Sequence, residues 1–175
     1  MEDSLPPQPL EPPPERKPFS HDWQRMPVTL TIIAVNVTVF AIAEWVGDTM
    51  STATLLKFGA CERMLVWSGE VWRLATAMFL HIGAVHIAVN SLAMFGWCRR
   101  VETRLGPAPF VLLYLLSGLG GSALSVIGHD VVAAGASGAI FGVIGCLFSL
   151  RANDVGGFQK LASDPVARPW IRGVG

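Results

Sequence analysis

The sequence predicts an all-α polytopic membrane protein: a helical bundle with four membrane-spanning helices and an amphipathic first loop. Three observations predict it. Of 175 residues, 51% are hydrophobic and only 15% charged, against about 25% charged in soluble domains. The charges avoid long stretches: residues 28–46 carry Glu44 alone, and 75–97, 107–127 and 131–150 carry no Asp, Glu, Lys or Arg. A bilayer-crossing helix needs roughly 20 apolar residues, so four such runs read as spans at about 28–46, 75–97, 109–127 and 137–150. A soluble bundle of buried helices does not account for four uncharged runs in one short chain.

The segment before the first span, 1–26, is rich in proline: Pro6, Pro7, Pro9, Pro12, Pro13, Pro14 and Pro18. It reads as a disordered solvated tail. Pro6 and Pro9 fit a P-x-x-P pattern, which is a weak signal. Net charge is zero, so nothing points to nucleic acid. The placement of the cations says more. With the N-terminus in the cytoplasm, the inner segments hold Arg16, Lys17, Arg25, Arg99, Arg100, Arg104, Arg151, Lys160, Arg168 and Arg172, and the outer ones only Lys57, Arg63 and Arg73. The positive-inside rule favours that orientation. The first span reads as an uncleaved anchor, and the whole suggests a multi-pass plasma-membrane protein.

Between spans 1 and 2 lies a long loop that is not polar. Leu55, Leu56, Phe58, Leu65, Val66, Trp67 and Trp72 make it amphipathic, and Trp favours the membrane interface. Short helices on or partly in the outer leaflet are expected there. Span 3 carries Ser117, Gly121 and Ser125, and span 4 carries Gly138 and Gly142. Small residues four apart form a flat stripe that lets membrane helices approach closely. Residues 27–151 therefore read as one membrane domain, and 152–175 as a polar C-terminal tail. Cys61, Cys98 and Cys146 match no C-x-x-C spacing and read as packing residues.

Span 4 is short. Fourteen residues from Ser137 to Leu150 give about 21 Å, less than the ~30 Å hydrocarbon core. With Arg151 at the inner surface, Ser137 falls below the outer surface, preceded by non-helical backbone over 131–135. Such backbone at membrane depth must line a wet cavity or be buried in protein. Ser137 thus heads a helix, where free N–H groups favour an oxyanion. In span 2, His86 and Asn90 are i,i+4 and share a face. Polar groups there are costly and tend to be functional. Three readings compete for His81, His86 and Asn90: a metal site, interhelical hydrogen bonds, or oxyanion donors serving Ser137. His81 points away from the other two and reads as a brace for the long loop.

Taken in order, these residues resemble a known family. They run Gly69-Glu70-Val71-Trp72-Arg73, Thr76-Ala77-Met78-Phe79-Leu80-His81, His86, Asn90, Glu102 and Gly106. They continue through Tyr114-Leu115-Leu116-Ser117-Gly118-Leu119-Gly120-Gly121 to Gly135-Ala136-Ser137-Gly138-Ala139-Ile140-Phe141-Gly142. The sequence resembles the rhomboid family of intramembrane serine proteases. The resemblance implies a six-helix core, cleavage of transmembrane substrates in the bilayer, and no cofactor or metal. It implies Ser137 as nucleophile and His86 with Asn90 as oxyanion-stabilising side chains. Trp72 and Arg73 would belong to the embedded first loop, with His81, Gly135 and Gly138 structural.

The resemblance also implies a general-base His on a sixth span, and no His follows His129 in this chain. His129 precedes Ser137 by eight residues, with nothing to hold it there. Reassigning His86 as base would empty the oxyanion site. Two expectations remain: a protease truncated after its fourth span and inactive as this chain, or a non-catalytic relative that binds transmembrane helices. The joint presence of Ser137, His86 and Asn90 favours the first. The stretch Arg168-Pro169-Trp170-Ile171-Arg172 reads as the lead-in to a further span.

Overall fold

The computed structural model describes residues 26–128 and 131–167. The proline-rich tail, His129 and the stretch from Arg168 to Arg172 lie outside the described residues. Helix α1 runs Pro27–Val46, with Pro27 at its first position, where a missing N–H costs nothing. Its other free N–H groups are met from a distance. Glu102 is 1% exposed, and its two carboxylate oxygens accept from the Val28 N–H at 2.8 Å and the Thr29 N–H at 2.7 Å. A buried carboxylate is tolerated because it faces N–H donors at the positive end of a helix. Replacing it leaves both donors stranded. Glu102→Ala is expected to cost about 2–5 kcal/mol of stability, read as a lowered unfolding midpoint in detergent. An unchanged midpoint would mean that water caps α1 equally well.

The long first loop folds into short helices: α2 Thr52–Lys57, α3 Arg63–Trp67 and α4 Arg73–Thr76, the last followed by a 3₁₀ turn at Ala77–Phe79. At its entry, Glu44 in the last turn of α1 accepts from the Thr49 backbone and hydroxyl. Glu62 caps α3, and the N–H groups of Met64 and Leu65 hold its carboxyl below the usual carboxylate range. Arg73 organises the rest. It is 8% exposed and donates to the Leu56 and Ala60 carbonyls at 2.8 and 3.0 Å and to Glu70 at 2.7 Å. Its guanidinium also lies over the Trp72 ring, 4.6 Å from the centroid. The apolar side chains of Met64, Trp67, Val71 and Trp72 remain exposed.

The second span is not the continuous helix expected over 75–97. It breaks after Phe79 and restarts as α5, Gly83–Ala93, the two parts meeting at 88°. Leu80 is extended (φ −91°, ψ 150°), and Gly83 takes φ +71°, a conformation natural to glycine. The helix then passes through a π turn at Met94–Cys98 into α6, Arg99–Leu105, so it also ends later than expected.

Helix α7 spans Pro107–Gly128, close to the expected 109–127. Helix α8 runs Ser137–Val155, five residues beyond the expected end at Leu150. Arg151 does not stop it, because the Arg151 guanidinium is paired with Asp164. Asp154, the penultimate residue of the helix, pairs with Arg104 of α6. The helix stops at Gly156, φ +81°, a left-handed cap. The described part of the expected polar tail folds back as α9, Phe158–Leu161, burying Ala152, Leu161 and Ala167 together.

Among the described residues, helices α1, α7 and α8 are each long and apolar enough to cross a membrane, and the bent pair 73–79 and 83–105 makes a fourth when its two parts are counted as one span. The small-residue stripes meet. A methyl group added at Gly121 would lie 2.8 Å from the Gly138 Cα, and one at Gly142 would collide with the Ser117 hydroxyl. The α7 and α8 backbones are thus in near contact. The core beside this seam contains Met78, Met94, Phe110, Tyr114, Ile140 and Val143.

Candidate functional site

The backbone before Ser137 is held by the first loop. Cys61 and Ala133 exchange both hydrogen bonds of an antiparallel bridge, at 2.9 and 2.8 Å. The Gly135 N–H donates to the Ala77 carbonyl at 2.8 Å. Segment 131–136 is accordingly non-helical, as expected, and Gly135 takes φ +136°.

Gly135 is also where α5 arrives. A methyl group placed on it would lie 2.7 Å from His86 Cε1, 3.0 Å from His86 Nε2 and 3.6 Å from Asn90 Nδ2. The His86 and Asn90 side chains therefore converge on the backbone two residues before Ser137, and any side chain at 135 would displace them. The i,i+4 spacing produces this shared face. The break before Gly83 sets its level, because His86 lies in the first turn of the helix that starts there.

The donors can be assigned. The Ile82 N–H donates to His86 Nδ1 at 3.4 Å, so a neutral ring carries its proton on Nε2, the nitrogen nearer Gly135. Asn90 is 6% exposed, and its Nδ2 is buried with no hydrogen-bond partner among the described residues. A buried amide NH₂ without an acceptor is costly and calls for an explanation. His81 is 2% exposed and meets His86 edge-on, with ring centroids 5.3 Å apart. It does not point elsewhere, as the sequence suggested, but backs the His86 ring.

Ser137 is the first residue of α8, half-buried, and Ala136 occupies the N-cap position. Among the described residues no side chain hydrogen-bonds its hydroxyl. A cavity of about 180 Å³ opens beside it, lined by Gly118, Gly121, Ser122 and Ser125 of α7 and by Ala133, Ala134, Gly135, Ser137 and Gly138, on a side that His86 and Asn90 do not line. Gly138, expected as a structural residue, faces Gly121 across the helix seam.

A family model for the Rhomboid domain matches residues 68–170, more than half of the chain. The chain belongs to the rhomboid family. Rhomboid protease GluP of Bacillus subtilis (strain 168) is similar at 43% identity over 119 residues, 68% of this chain and 24% of that protein. RHOMBOID-like protein 5 of Arabidopsis thaliana is 41% identical over 102 residues, 57% of this chain and 33% of its own. RHOMBOID-like protein 1 of the same plant is 42% identical over 101 residues, 57% and 26%. The rhomboid chain thus spans about a quarter to a third of the length of these relatives. With its apolar helices, it is an integral multi-pass membrane protein.

Several contributors to the rhomboid site were not found in the sequence. The Ala77 carbonyl, the Ile82 N–H and the bridge from Cys61 to Ala133 are backbone groups, and residue type does not reveal them. The glycines at 59 and 83, both at positive φ, were the available signals that the first loop and span 2 turn sharply.

Proposed function

We propose that this chain carries the nucleophile and oxyanion half of a serine-type intramembrane endopeptidase acting on transmembrane protein substrates. The observation that carries this reading is the unsatisfied Asn90 amide, aimed with the His86 Nε2–H at the backbone leading into Ser137. Two donors held on one rigid helix, the Asn90 amide among them without an acceptor among the described residues, suit an oxygen that arrives with substrate and becomes negative in the transition state. The start of α8 adds backbone N–H groups and a favourable dipole. In this reading Ser137 Oγ attacks the scissile carbonyl, whose oxygen gains charge facing His86 and Asn90. The adjoining cavity leaves room beside the reacting group. With Nδ1 accepting from Ile82, His86 is suited to donate rather than to take the serine proton.

Among the described residues none is positioned as a base for Ser137. Activation of a serine hydroxyl needs one, so the 175-residue chain alone is expected to react slowly with a fluorophosphonate. A form extended to the length of its relatives is expected to react orders of magnitude faster and to cut a reconstituted single-span substrate. If the extended form also fails to label and only binds the substrate helix, the chain is a helix-binding relative of the proteases. Orientation with the N-terminus in the cytoplasm, and residence in the plasma membrane, form part of the same proposal. Protease protection of tags at the N-terminus in sealed cells tests the orientation.

A further inference from the structure

From α5 to α6 the second span carries a column of inward residues. His86, Asn90, Met94, Cys98 and Glu102 follow one another at four-residue intervals, and the last four are buried. In a straight α-helix each such step overshoots a full turn by about 40°, so His86 and Glu102 would face about 160° apart. The π turn at Met94–Cys98 winds more slowly and takes back part of that drift. It lets Glu102 reach the start of α1 while His86 and Asn90 face Gly135.

Apolar contact alone fixes the rotation of a membrane helix poorly, and here polar contacts add to it. The buried residues of α1 are Thr29, Asn36 and Ala43, seven apart. Asn36 lies near the middle of the helix and is 1% exposed. Its Nδ2 donates to the sulfur of Met94, the first residue of the π turn, at 3.7 Å, and a thioether is a weak acceptor. Its Oδ1 has no partner among the described residues. Neither has the buried hydroxyl of Tyr114, which approaches the amide from α7. Unsatisfied polar atoms in the membrane interior cost stability and point to function. Leucine, of similar size, would fill the place without that cost.

We infer that Asn36 is a positioning residue: its amide, on Met94 and beside Tyr114, holds the π turn and so sets the rotation of α5 that aims His86 and Asn90. Met94 lies four residues from Asn90 on the same column, so slip at the π turn swings both donors together. The cluster is enclosed by α1, α7 and the π turn, with Asn36, Met94 and Tyr114 each at most 1% exposed. For its effect on rate the inference rests on the oxyanion reading above. For its effect on the place of the His86 ring it does not.

The test is Asn36→Leu in the extended form. The unfolding midpoint should stay or rise, because a stranded amide is removed. Yet kcat should fall about tenfold with KM unchanged. Met94→Leu deletes the acceptor and should lower kcat equally, and the two together no further than either. With His86 and Asn90 both replaced by alanine, Asn36→Leu should cost nothing more. Histidine-selective nitrogen NMR of the same protein reads the geometry directly. The His86 Nε2 resonance, assigned by its loss in His86→Gln, should shift in Asn36→Leu. An unmoved resonance in the folded variant would overturn the inference, as would an undiminished kcat where His86→Ala itself lowers it. A midpoint that falls along with kcat would also overturn it, marking Asn36 as a packing residue. A moved resonance with a rate insensitive to His86→Ala would keep the link from Asn36 to His86 and remove the oxyanion reading instead.

Discussion

Ser137→Ala is expected to abolish fluorophosphonate labelling and to lower substrate cleavage by the extended form at least about 10⁴-fold, the scale seen when a serine nucleophile is removed. Thermal unfolding should not change. Nothing in the packing asks for a hydroxyl at this position. Ala136, not Ser137, is the N-cap, and no side-chain cap is made. The hydroxyl has no protein partner among the described residues, so deleting it strands no other group. Alanine is also the better helix former. A serine that gives the fold nothing is what the proposed nucleophile role would require. Undiminished labelling of the alanine variant would place the reactive group elsewhere.

His86→Ala is expected to lower kcat about 10²–10³-fold with KM little changed, because the lost hydrogen bond forms in the transition state. The informative variant is His86→Gln. A glutamine keeps an N–H donor near the same place but cannot take a proton at neutral pH. Partial recovery relative to alanine fits the donor role that the Ile82 contact implies. No recovery, together with loss of a rise in rate with pH on the acid side of the profile, where an imidazole base loses its proton, would make His86 the base. Combining His86→Ala with Asn90→Ala should cost less than the sum of the two losses, as for groups serving one oxygen.

The parts of this rhomboid readable from sequence are those that repeat along a helix. The uncharged runs located α1, α7 and the apolar part of α8 to within a few residues. The stripe from Ser117 to Ser125 and the pair Gly138 and Gly142 predicted the seam that the two backbones form. The i,i+4 spacing put His86 and Asn90 on one face, and they share one. What failed is what hydropathy does not encode. The stretch from Ala77 to Val85 is uncharged and apolar apart from His81, so the break at Leu80 was invisible apart from Gly83. Arg151 was taken as an end because a lone charge is costly in lipid, but its partner lies thirteen residues on, at Asp164. His81 was misplaced for the same reason as the break: five residues of straight helix would turn it away from His86, and the chain is not straight there.

The two backbone ties behind Ser137 join segments far apart in the chain: Cys61 to Ala133 is a separation of 72 residues, and Ala77 to Gly135 one of 58. Each helix can form and enter the bilayer on local contacts alone, but the ties cannot close until distant parts have met. The reactive geometry is therefore a late product of assembly. A nascent or damaged copy with every span inserted would still lack it. If Ser137 acts as proposed, that delay would keep a half-built chain from cutting the other helices in a crowded membrane.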